Sequence, residues 1–370
     1  MATSPISAPS TRAATPSTAP ATRPTTPHAG LTRPTTPHNA PTRRFVVVPW
    51  KEAAADLIVS STRDSFCFKV HKVVLAQALQ GFDDMFSGKA RLGVGDPQDT
   101  HKGLPVLALP ENSEVLSCLL ELIYPVAPPT SKLSDEDTIR DLCVALDKYG
   151  IKSYPRPVLD RLIALAEDEP EVVYMFACRF RLREVANAAA KASLRSPRGF
   201  SDMDVSDLRI SMQQYHAFAT YQRNCRERAV SAIRDLAWMI ELIPDDIPGL
   251  IEARNKADSC LVCYKSSDLR LYQSKARGTI KICLSSYLNR YFELVEAALV
   301  KDTRGTVATD QRHFSSVFAP HGLYACDHCR TAETAFAMIA LGKTLEQEID
   351  RRISQVELSI SDIVWSDAVY

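Results

Sequence analysis

The sequence contains no long apolar run and no surplus of charge. No stretch approaches the ~18 to 20 consecutive apolar residues that a membrane-spanning helix needs. Forty-four basic and 44 acidic side chains give a formal net charge of 0. Without an excess of positive charge there is little to release counterions from phosphate, so a strongly basic nucleic-acid binder is disfavoured. The sequence therefore predicts no membrane partner and argues against a nucleic-acid partner.

Cysteine is also scarce. Ten cysteines in 370 residues fall well below the ~8 to 10% of a short secreted disulfide scaffold. The first residues lack the apolar core of a signal peptide. We therefore expect a cytoplasmic or nuclear protein in a reducing compartment, where most cysteines are buried small hydrophobes.

The chain does contain enough apolar residues for a large core. They make up 45% of 370 residues, and this length corresponds to about two domains. Residues 1–44 differ, with nine prolines, five arginines and no acidic residue, which predicts a disordered tail. TRPTTPH occurs there twice, at 22–28 and 32–38. Local duplication is one explanation of this repeat. A second interpretation of the tail is that Thr15, Thr26 and Thr36, each followed by proline, accept phosphate. A third is a transit peptide, but the proline density argues against the amphipathic helix that such peptides use.

Periodicity predicts strands first and helices afterwards. β-Branched and aromatic residues predict strands at 45–48, 57–60, 66–70 and 105–109. Helical spacing predicts helices at 71–79, 82–86, 115–124 and 135–149, and residues 87–104 are expected to form an exposed loop. The remainder is predicted to be helical, with two or three helices in 155–195 and long helices at 210–243, 279–300 and 331–357.

Five motifs between residues 56 and 125 carry a resemblance to a known family. They are DLIV at 56–59, FKVHKVVLA at 68–76, FDDMF at 82–86, VLALPE at 106–111 and LLELIYP at 119–125. In this order they resemble the BTB (POZ) domain. The form with DKYGI at 147–151 in the next helix looks like the BTB proteins of basidiomycete fungi. The pattern departs at Ser60 and Ser61, where the hairpin often has glycine, and at ALQG, 78–81, where a small polar residue is usual.

The resemblance implies a protein-docking domain with no chemistry of its own. Residues 45–150 offer no nucleophile paired with a base, no phosphate-binding glycine loop and no carboxylate pair, so we do not expect an enzyme. By resemblance to BTB transcription regulators, Asp56 and Lys72, beside His71, would line a charged pocket for a partner peptide. The residues themselves also favour a buried hydrogen-bonded pair between Asp56 and His71.

The resemblance also implies partners. Dimerisation is the commoner use of this fold, and FVVV at 45–48 lies where the exchanged strand of a homodimer would be. Some BTB proteins are substrate adaptors for cullin-type ubiquitin ligases and use a helical extension after the domain. Residues 153–200 are the candidate for that extension. No recognisable substrate-binding repeat follows, so scaffolding ranks above adaptor activity.

Two C-x-x-C pairs, Cys260 with Cys263 and Cys326 with Cys329, are the sharpest chemical feature outside this domain. Two such turns can close a tetrahedral zinc site with Zn–S bonds of ~2.3 Å. The 62 residues between the pairs exceed the ~15 to 20 of ribbon-type sites, although related fungal BTB proteins, by resemblance, also carry such pairs. A structural zinc, inert buried thiols and dithiol redox chemistry all remain open.

Further candidates accompany these pairs. A histidine could replace one thiolate; those close enough in sequence are His313, His321 and His328. The other cysteines fall on apolar faces and are predicted to lie in the core: Cys67, Cys118, Cys143, Cys178, Cys225 and Cys283.

The sequence as a whole predicts an α+β fold, a BTB/POZ domain followed by a mainly helical C-terminal domain. The predicted divisions are a tail at 1–44, the BTB/POZ domain at 45–152, a helical extension at 153–200 and the helical C-terminal domain at 201–370. The expected function is self-association and partner docking, as a scaffold or ubiquitin-ligase adaptor. The alternative is a zinc-containing transcription regulator that contacts DNA. The arginines at 221–238 could form a basic stripe for nucleic acid, but they alternate with Glu227 and Asp235, which favours a solvated helix face.

Overall fold

The computed structural model is a mixed α+β protein. It describes residues 43–50, 54–89, 99–128, 132–197, 210–242, 250–252, 263, 269–274, 278–318, 325–327 and 329–361. The described residues, from Arg43 onward, belong to one compact unit. The predicted tail, apart from residues 43 and 44, lies outside the described residues. Among the helices of the described part, none combines the length and apolarity required to cross a bilayer.

A five-stranded sheet forms the first part of the compact unit. Its strands are β1 (Arg44–Phe45), β2 (Leu57–Ser61), β3 (Phe66–Val70), β4 (Asp99–His101) and β5 (Leu104–Leu109), in the order β1-β3-β2-β5-β4. β2 and β3 form an antiparallel hairpin, and β5 returns parallel to β2. The strands predicted at 57–60, 66–70 and 105–109 are confirmed. The loop predicted at 87–104 contains β4, and the strand predicted at 45–48 is confined to Arg44–Phe45.

Side-chain alternation gives this sheet two apolar faces. One face packs on the main core and contributes Leu57, Val59, Phe68, Val70, Leu107 and Leu109. The opposite face holds a separate small cluster of Ile58, Cys67 and Val106. Because successive side chains of a strand point to opposite faces, these strands are apolar at nearly every position. The two end strands, β1 and β4, contact each other through side chains: the ring centroids of Phe45 and His101 are 5.3 Å apart.

Four helices cover the main face of the sheet. They are α1 (Lys72–Ala78), α2 (Gln80–Phe86), α3 (Ser113–Ile123) and α4 (Glu136–Lys148). Asn112 caps α3 by accepting a hydrogen bond from Val115 N, and Asp135 caps α4 by accepting one from Thr138 N, both at 2.8 Å. A side chain that satisfies an orphan N–H typically stabilises a helix start by ~1 kcal/mol, so these residues fix where both helices begin.

The helical extension follows without a break in the core. It comprises α5 (Arg156–Leu165), α6 (Pro170–Phe180) and α7 (Arg183–Ala192). α8 (Met212–Arg234) and α9 (Ala237–Leu242) come next. Buried side chains from all five helices belong to the same apolar cluster as those of the first sheet, and that cluster continues to Ile360. The predicted divisions at 152 and 200 thus fall within one continuous core.

The helix predicted at 210–243 is interrupted at Asp235, which has an extended backbone. The apolar stripe continues across the break, since Ile233, Leu236 and Met239 are all buried. The Trp238 indole donates to the Ala232 carbonyl at 2.8 Å, and Asp235 Oδ1 accepts from Ala237 N at 3.2 Å. These bonds satisfy backbone groups that a continuous helix would have paired.

The helix predicted at 279–300 is wrong in its first third. A second, antiparallel sheet lies in this part of the chain. Its strands are β6 (Leu250–Glu252), β7 (Leu269–Ser274) and β8 (Gly278–Leu284), in the order β6-β8-β7. β8 contains the β-branched residues of GTIKICL, which favour a strand. Gly278 begins it at φ +71, a conformation that L side chains rarely adopt. The part of the chain predicted to be mainly helical therefore also contains a sheet.

Helices α10 (Ser286–Leu299), α11 (Gln311–Phe318) and α12 (Ala332–Ile353) complete the fold. α12, predicted at 331–357, packs closely on the short 3-10 helix Gly305–Thr309. Gly342 allows this approach, because a Cβ there would lie 2.8 Å from Phe314 Cζ and 3.0 Å from the Ala308 carbonyl oxygen. The middle of α12 is thus held by close packing.

Candidate metal centre

The structure brings three cysteines together. The Sγ atoms of Cys263, Cys326 and Cys329 all lie within 4.8 Å of one another and could hold a metal ion. A tetrahedral zinc with Zn–S bonds of ~2.3 Å has its sulfurs ~3.8 Å apart, which falls within the 4.8 Å limit that encloses these three Sγ atoms. Cys260, the fourth predicted ligand, lies outside the described residues. The residues that are described supply three thiol donors, a soft set suited to zinc.

Cys263 is fixed at the start of α10. Its carbonyl oxygen accepts hydrogen bonds from Ser286 N at 2.8 Å and Ser286 Oγ at 3.0 Å. Ser285 caps the same helix by accepting from Leu288 N at 3.2 Å. The Cys263 side chain is buried, with 2% of the residue exposed. The N-terminus of a 14-residue helix therefore lies beside this cysteine.

Cys326 and Cys329 lie in a tight turn just ahead of α12. The Cys326 carbonyl oxygen accepts from Cys329 N at 3.0 Å and from Arg330 N at 2.9 Å. Thr331 then caps α12 by accepting from Thr334 N at 3.2 Å. Both cysteines are partly exposed. The turn thus presents two thiols at the N-terminal end of a second helix.

A backbone-to-sulfur hydrogen bond joins the two segments. Cys326 N donates to Cys263 Sγ at 3.4 Å, across 63 positions of sequence. An N–H that points at sulfur stabilises the thiolate form, as a metal ligand requires. The two neighbouring helix N-termini carry partial positive charge and favour anionic sulfur in the same way.

A bound cation would favour the thiolate form of these cysteines over the neutral thiol. Burial raises the pKa of the Cys263 thiol to about 11, so without a metal this group is protonated at neutral pH. A bound metal displaces the proton, because the ligand is the thiolate. Arg330 braces the turn, since its Nη2 donates to the Ala325 carbonyl at 2.8 Å and its Nη1 lies 3.3 Å from Asp327 Oδ1.

The other cysteines and the candidate histidine ligands lie outside this group or outside the described residues. Cys67, Cys118, Cys143, Cys178, Cys225 and Cys283 are buried, which confirms their prediction as core residues. Burial raises the pKa of Cys118 to about 11 and of Cys143 to about 12, so these thiols are unreactive at neutral pH. Among the described residues, the group that could hold a metal ion contains no histidine: His313 lies elsewhere. His321 and His328 fall outside the described residues.

The three predicted docking residues meet at the start of α1. Asp56 is exposed, and its Oδ1 accepts a hydrogen bond from Lys72 N at 2.8 Å. The His71 backbone N donates to Tyr124 Oη at 2.8 Å, and His71 Nδ1 lies 3.0 Å from the same oxygen. The predicted buried pair of Asp56 with His71 is therefore wrong: Asp56 caps the helix, while His71 ties it to the end of α3. A docking role for these residues stays a prediction.

Sequence reasoning missed two supporting residues of the metal centre. Ser286 holds Cys263 through its backbone and side chain, and Arg330 closes the turn after Cys329. The paired serines before the amphipathic stretch YLNRYFELV are a recognisable helix-start signal. That signal predicts a helix start at Ser285. It does not predict that this helix start lies beside Cys263.

No protein-family model matches the sequence, and a search of curated proteins finds no significant match.

Proposed function

We propose that this protein is a docking module of the BTB/POZ type that pairs with a second copy of itself, and that a structural zinc fastens its C-terminal helices. The observation that best supports the first part is the order of elements. A β2–β3 hairpin leads to α1 and α2, β5 returns parallel to β2, and α3 and α4 follow. This is the order that the motifs resembling a BTB domain require.

Contacts among these motifs give further support. Glu111, which ends VLALPE, accepts a hydrogen bond from Tyr149 Oη at 2.5 Å and pairs with Lys148 at 2.8 Å. Both partners belong to DKYGI. A bridge between Leu79 and Ile151 ties that run to ALQG. Gly150 has φ +68 and a Cβ there would lie 3.4 Å from Gln80 Cβ. The positive φ, which L side chains rarely adopt, is the reason for glycine at this position.

The surface proposed for self-association is formed by β1, the residues after it, and α1. Phe45 is 39% exposed, Val47 94% and Val73 70%. β1 is an end strand of the sheet and pairs on one side with β3. An end strand with apolar side chains can add a strand from another chain. A second copy fits because it brings an equal strand and an equal apolar helix face.

A structural zinc would join the start of α10 to the start of α12. The residues proposed to hold it are Cys263, Cys326 and Cys329, with Cys260 as the fourth ligand predicted from sequence. Zinc has no redox chemistry of its own, so its contribution is to fix the fold. Reduced thiols are needed, in keeping with a cytoplasmic or nuclear protein.

We expect the Val47→Lys, Val73→Lys double variant to lose self-association. Burying each valine contributes about 1.5 to 3 kcal/mol, so replacing either with a charge should weaken the dimer by at least about tenfold. Size-exclusion chromatography with light scattering should give twice the 41.0 kDa chain mass for the wild type and a single chain mass for the variant.

Val300→Lys is the matched control, because Val300 is also exposed but lies at the C-terminal end of α10. It should retain the wild-type mass. A wild type that remains at 41.0 kDa at high concentration, or a double variant that still dimerises fully, would count against self-association through this surface.

A cullin partner and adaptor activity take second place within the same proposal. The helices that would serve as the extension, α5 to α7, follow directly after α4. A zinc-containing transcription regulator is less well supported. Along α8, Arg234 pairs with Glu296 at 2.5 Å, and Phe218, Tyr221 and Cys225 are buried. These contacts of α8 are packing and ion pairing.

A further inference from the structure

Within the part of the chain that the structure describes, the first residues of α12 are not buried. From Ala332 to Ala337 no residue is buried, and Met338 is the first residue of the helix in the core. Phe336, in this stretch, is exposed. The turn at Cys326–Arg330 lies immediately before it, and Ala325 is buried. Among the described residues, the attachment that directly precedes these turns is the Cys326–Arg330 turn with its cysteine cluster.

The far end of α12 is attached independently. Arg352 Nη1 donates to Ser231 Oγ of α8 at 2.9 Å, and Asp350 Oδ1 accepts from Gly305 N at 2.9 Å. Gly342 packs in the middle of the helix. A change confined to the cysteines should consequently loosen one end of the helix and leave the other in place.

The three thiols differ in access. Cys326 and Cys329 are partly exposed, whereas Cys263 is buried and its sulfur accepts the hydrogen bond from Cys326 N. An oxidant from solvent reaches the first two sulfurs before the third. The turn that brings Cys329 N within 3.0 Å of the Cys326 carbonyl oxygen also keeps these two residues close.

We propose that Cys326 and Cys329 form a peroxide-sensitive switch, in which their oxidation to a disulfide expels the zinc and loosens the first turns of α12. This inference rests on the zinc centre proposed above. It assigns regulation to that centre: zinc fastens the helix in a reducing compartment, and a peroxide releases it.

The chemistry balances with hydrogen peroxide as the oxidant. One thiolate attacks a peroxide oxygen, the O–O bond breaks, and a sulfenic acid and hydroxide form. The second thiolate attacks the sulfenic sulfur, the S–S bond forms and hydroxide leaves. Two protons from solvent convert both hydroxides to water. The two sulfurs lose two electrons, the peroxide gains them, and the zinc ion loses two ligands.

The test uses the full chain loaded with zinc. On treatment with hydrogen peroxide we expect one zinc ion per chain to appear in a chromogenic chelator, and peptide mapping to find a disulfide joining Cys326 and Cys329. Amide exchange at 332–337 should accelerate by about tenfold or more, while exchange at 338–353 changes little. Dithiothreitol with zinc should restore the starting state. Cys178→Ser, at a buried cysteine outside the cluster, should respond like the wild type.

The outcomes separate the switch from the zinc centre. If the chain binds zinc but peroxide releases none, or if the disulfide includes Cys263, the switch is wrong and the centre stands. The switch is also wrong if zinc leaves and exchange at 332–337 is unchanged. If the reduced chain binds no zinc at all, both are wrong.

Discussion

Cys263→Ser is expected to reduce bound zinc from one ion per chain to none. The hydroxyl of serine does not ionise at neutral pH and is a poor ligand for zinc, so the site loses its buried ligand. Structural zinc contributes about 10 to 16 kcal/mol to the folding of isolated zinc fingers. This chain has a continuous core, so we expect a smaller loss, about 3 kcal/mol or more, in the free energy of unfolding. Metal content by mass spectrometry and urea unfolding measure the two effects.

Cys283→Ser is the matched control. Cys283 is equally buried and lies in β8, but it is outside the cluster. This variant should lose some stability and keep its zinc. Because a serine in the core can destabilise any protein, the metal content decides the question. Full zinc occupancy in Cys263→Ser would contradict the proposed ligand set.

Glu348→Gln is expected to lower the free energy of unfolding by about 3 kcal/mol. The Glu348 side chain is 8% exposed and its carboxylate pairs with Arg351 Nε and Arg352 Nε, each at 2.6 Å. Arg352, whose side chain is 13% exposed, extends the network to Ser231 in α8. Removing one partner of a buried ion pair typically costs 3 to 5 kcal/mol. Here Arg352 keeps Asp235 Oδ2 as a second partner at 3.7 Å and the Arg351 side chain is 57% exposed, so we expect a loss at the lower end of that range. Urea unfolding at neutral pH measures the loss.

The effect of Glu348→Gln should depend on pH in a defined direction. Hydrogen bonds from Arg351, with Arg352 adding to them, lower the pKa of Glu348. A carboxylate with a lowered pKa in the folded state stabilises the fold above its unfolded pKa of about 4.3, and this contribution disappears as pH falls through the folded value. The difference between wild type and variant should therefore be full at pH 7 and shrink below about pH 4.

Glu333→Gln makes the same change on the same helix at an exposed position. It should cost no more than about 0.5 kcal/mol, the size of an interaction with the helix N-terminus. A loss of similar size in both variants, or a Glu348→Gln effect that does not change with pH, would show that the ion pair does not hold α12 to α8.

The first sheet could be predicted from sequence because its strands are short runs of residues that favour strands and are bounded by polar residues. LIVS and FCFKV are short β-branched and aromatic runs separated by polar STRDS, and they form β2 and β3 where expected. The helix starts at Asn112 and Asp135 are likewise local signals. A local pattern suffices where side-chain chemistry and backbone preference agree.

The second sheet could not be predicted in the same way. GTIKICL has enough apolar residues to read as the start of the amphipathic helix that follows it, and β8 is established by pairing with β6 and β7. The choice of hydrogen-bond partners was also beyond the sequence. Asp56 and His71 are both polar residues near a helix start, and only the tertiary position of Tyr124 assigns His71 to that hydroxyl.

The cysteines of the candidate metal site could be predicted from the sequence, but their proximity in the fold could not. The C-x-x-C spacing identifies cysteines capable of sharing a metal, but the 62 residues between the pairs say nothing about distance. The meeting of Cys263 with Cys326 and Cys329 depends on where α10 and α12 begin, and both starts are set by capping residues, Ser285 and Thr331.

The most direct test of self-association through the N-terminal surface is amide exchange of the unaltered chain at increasing concentration. If two copies pair through β1 and α1, exchange should slow at 44–48 and 72–78 in step with the rise of the measured mass from one chain to two, while exchange in α12 stays constant. Slowing at a different surface, or a rise in mass with no change at 44–48 and 72–78, would contradict it.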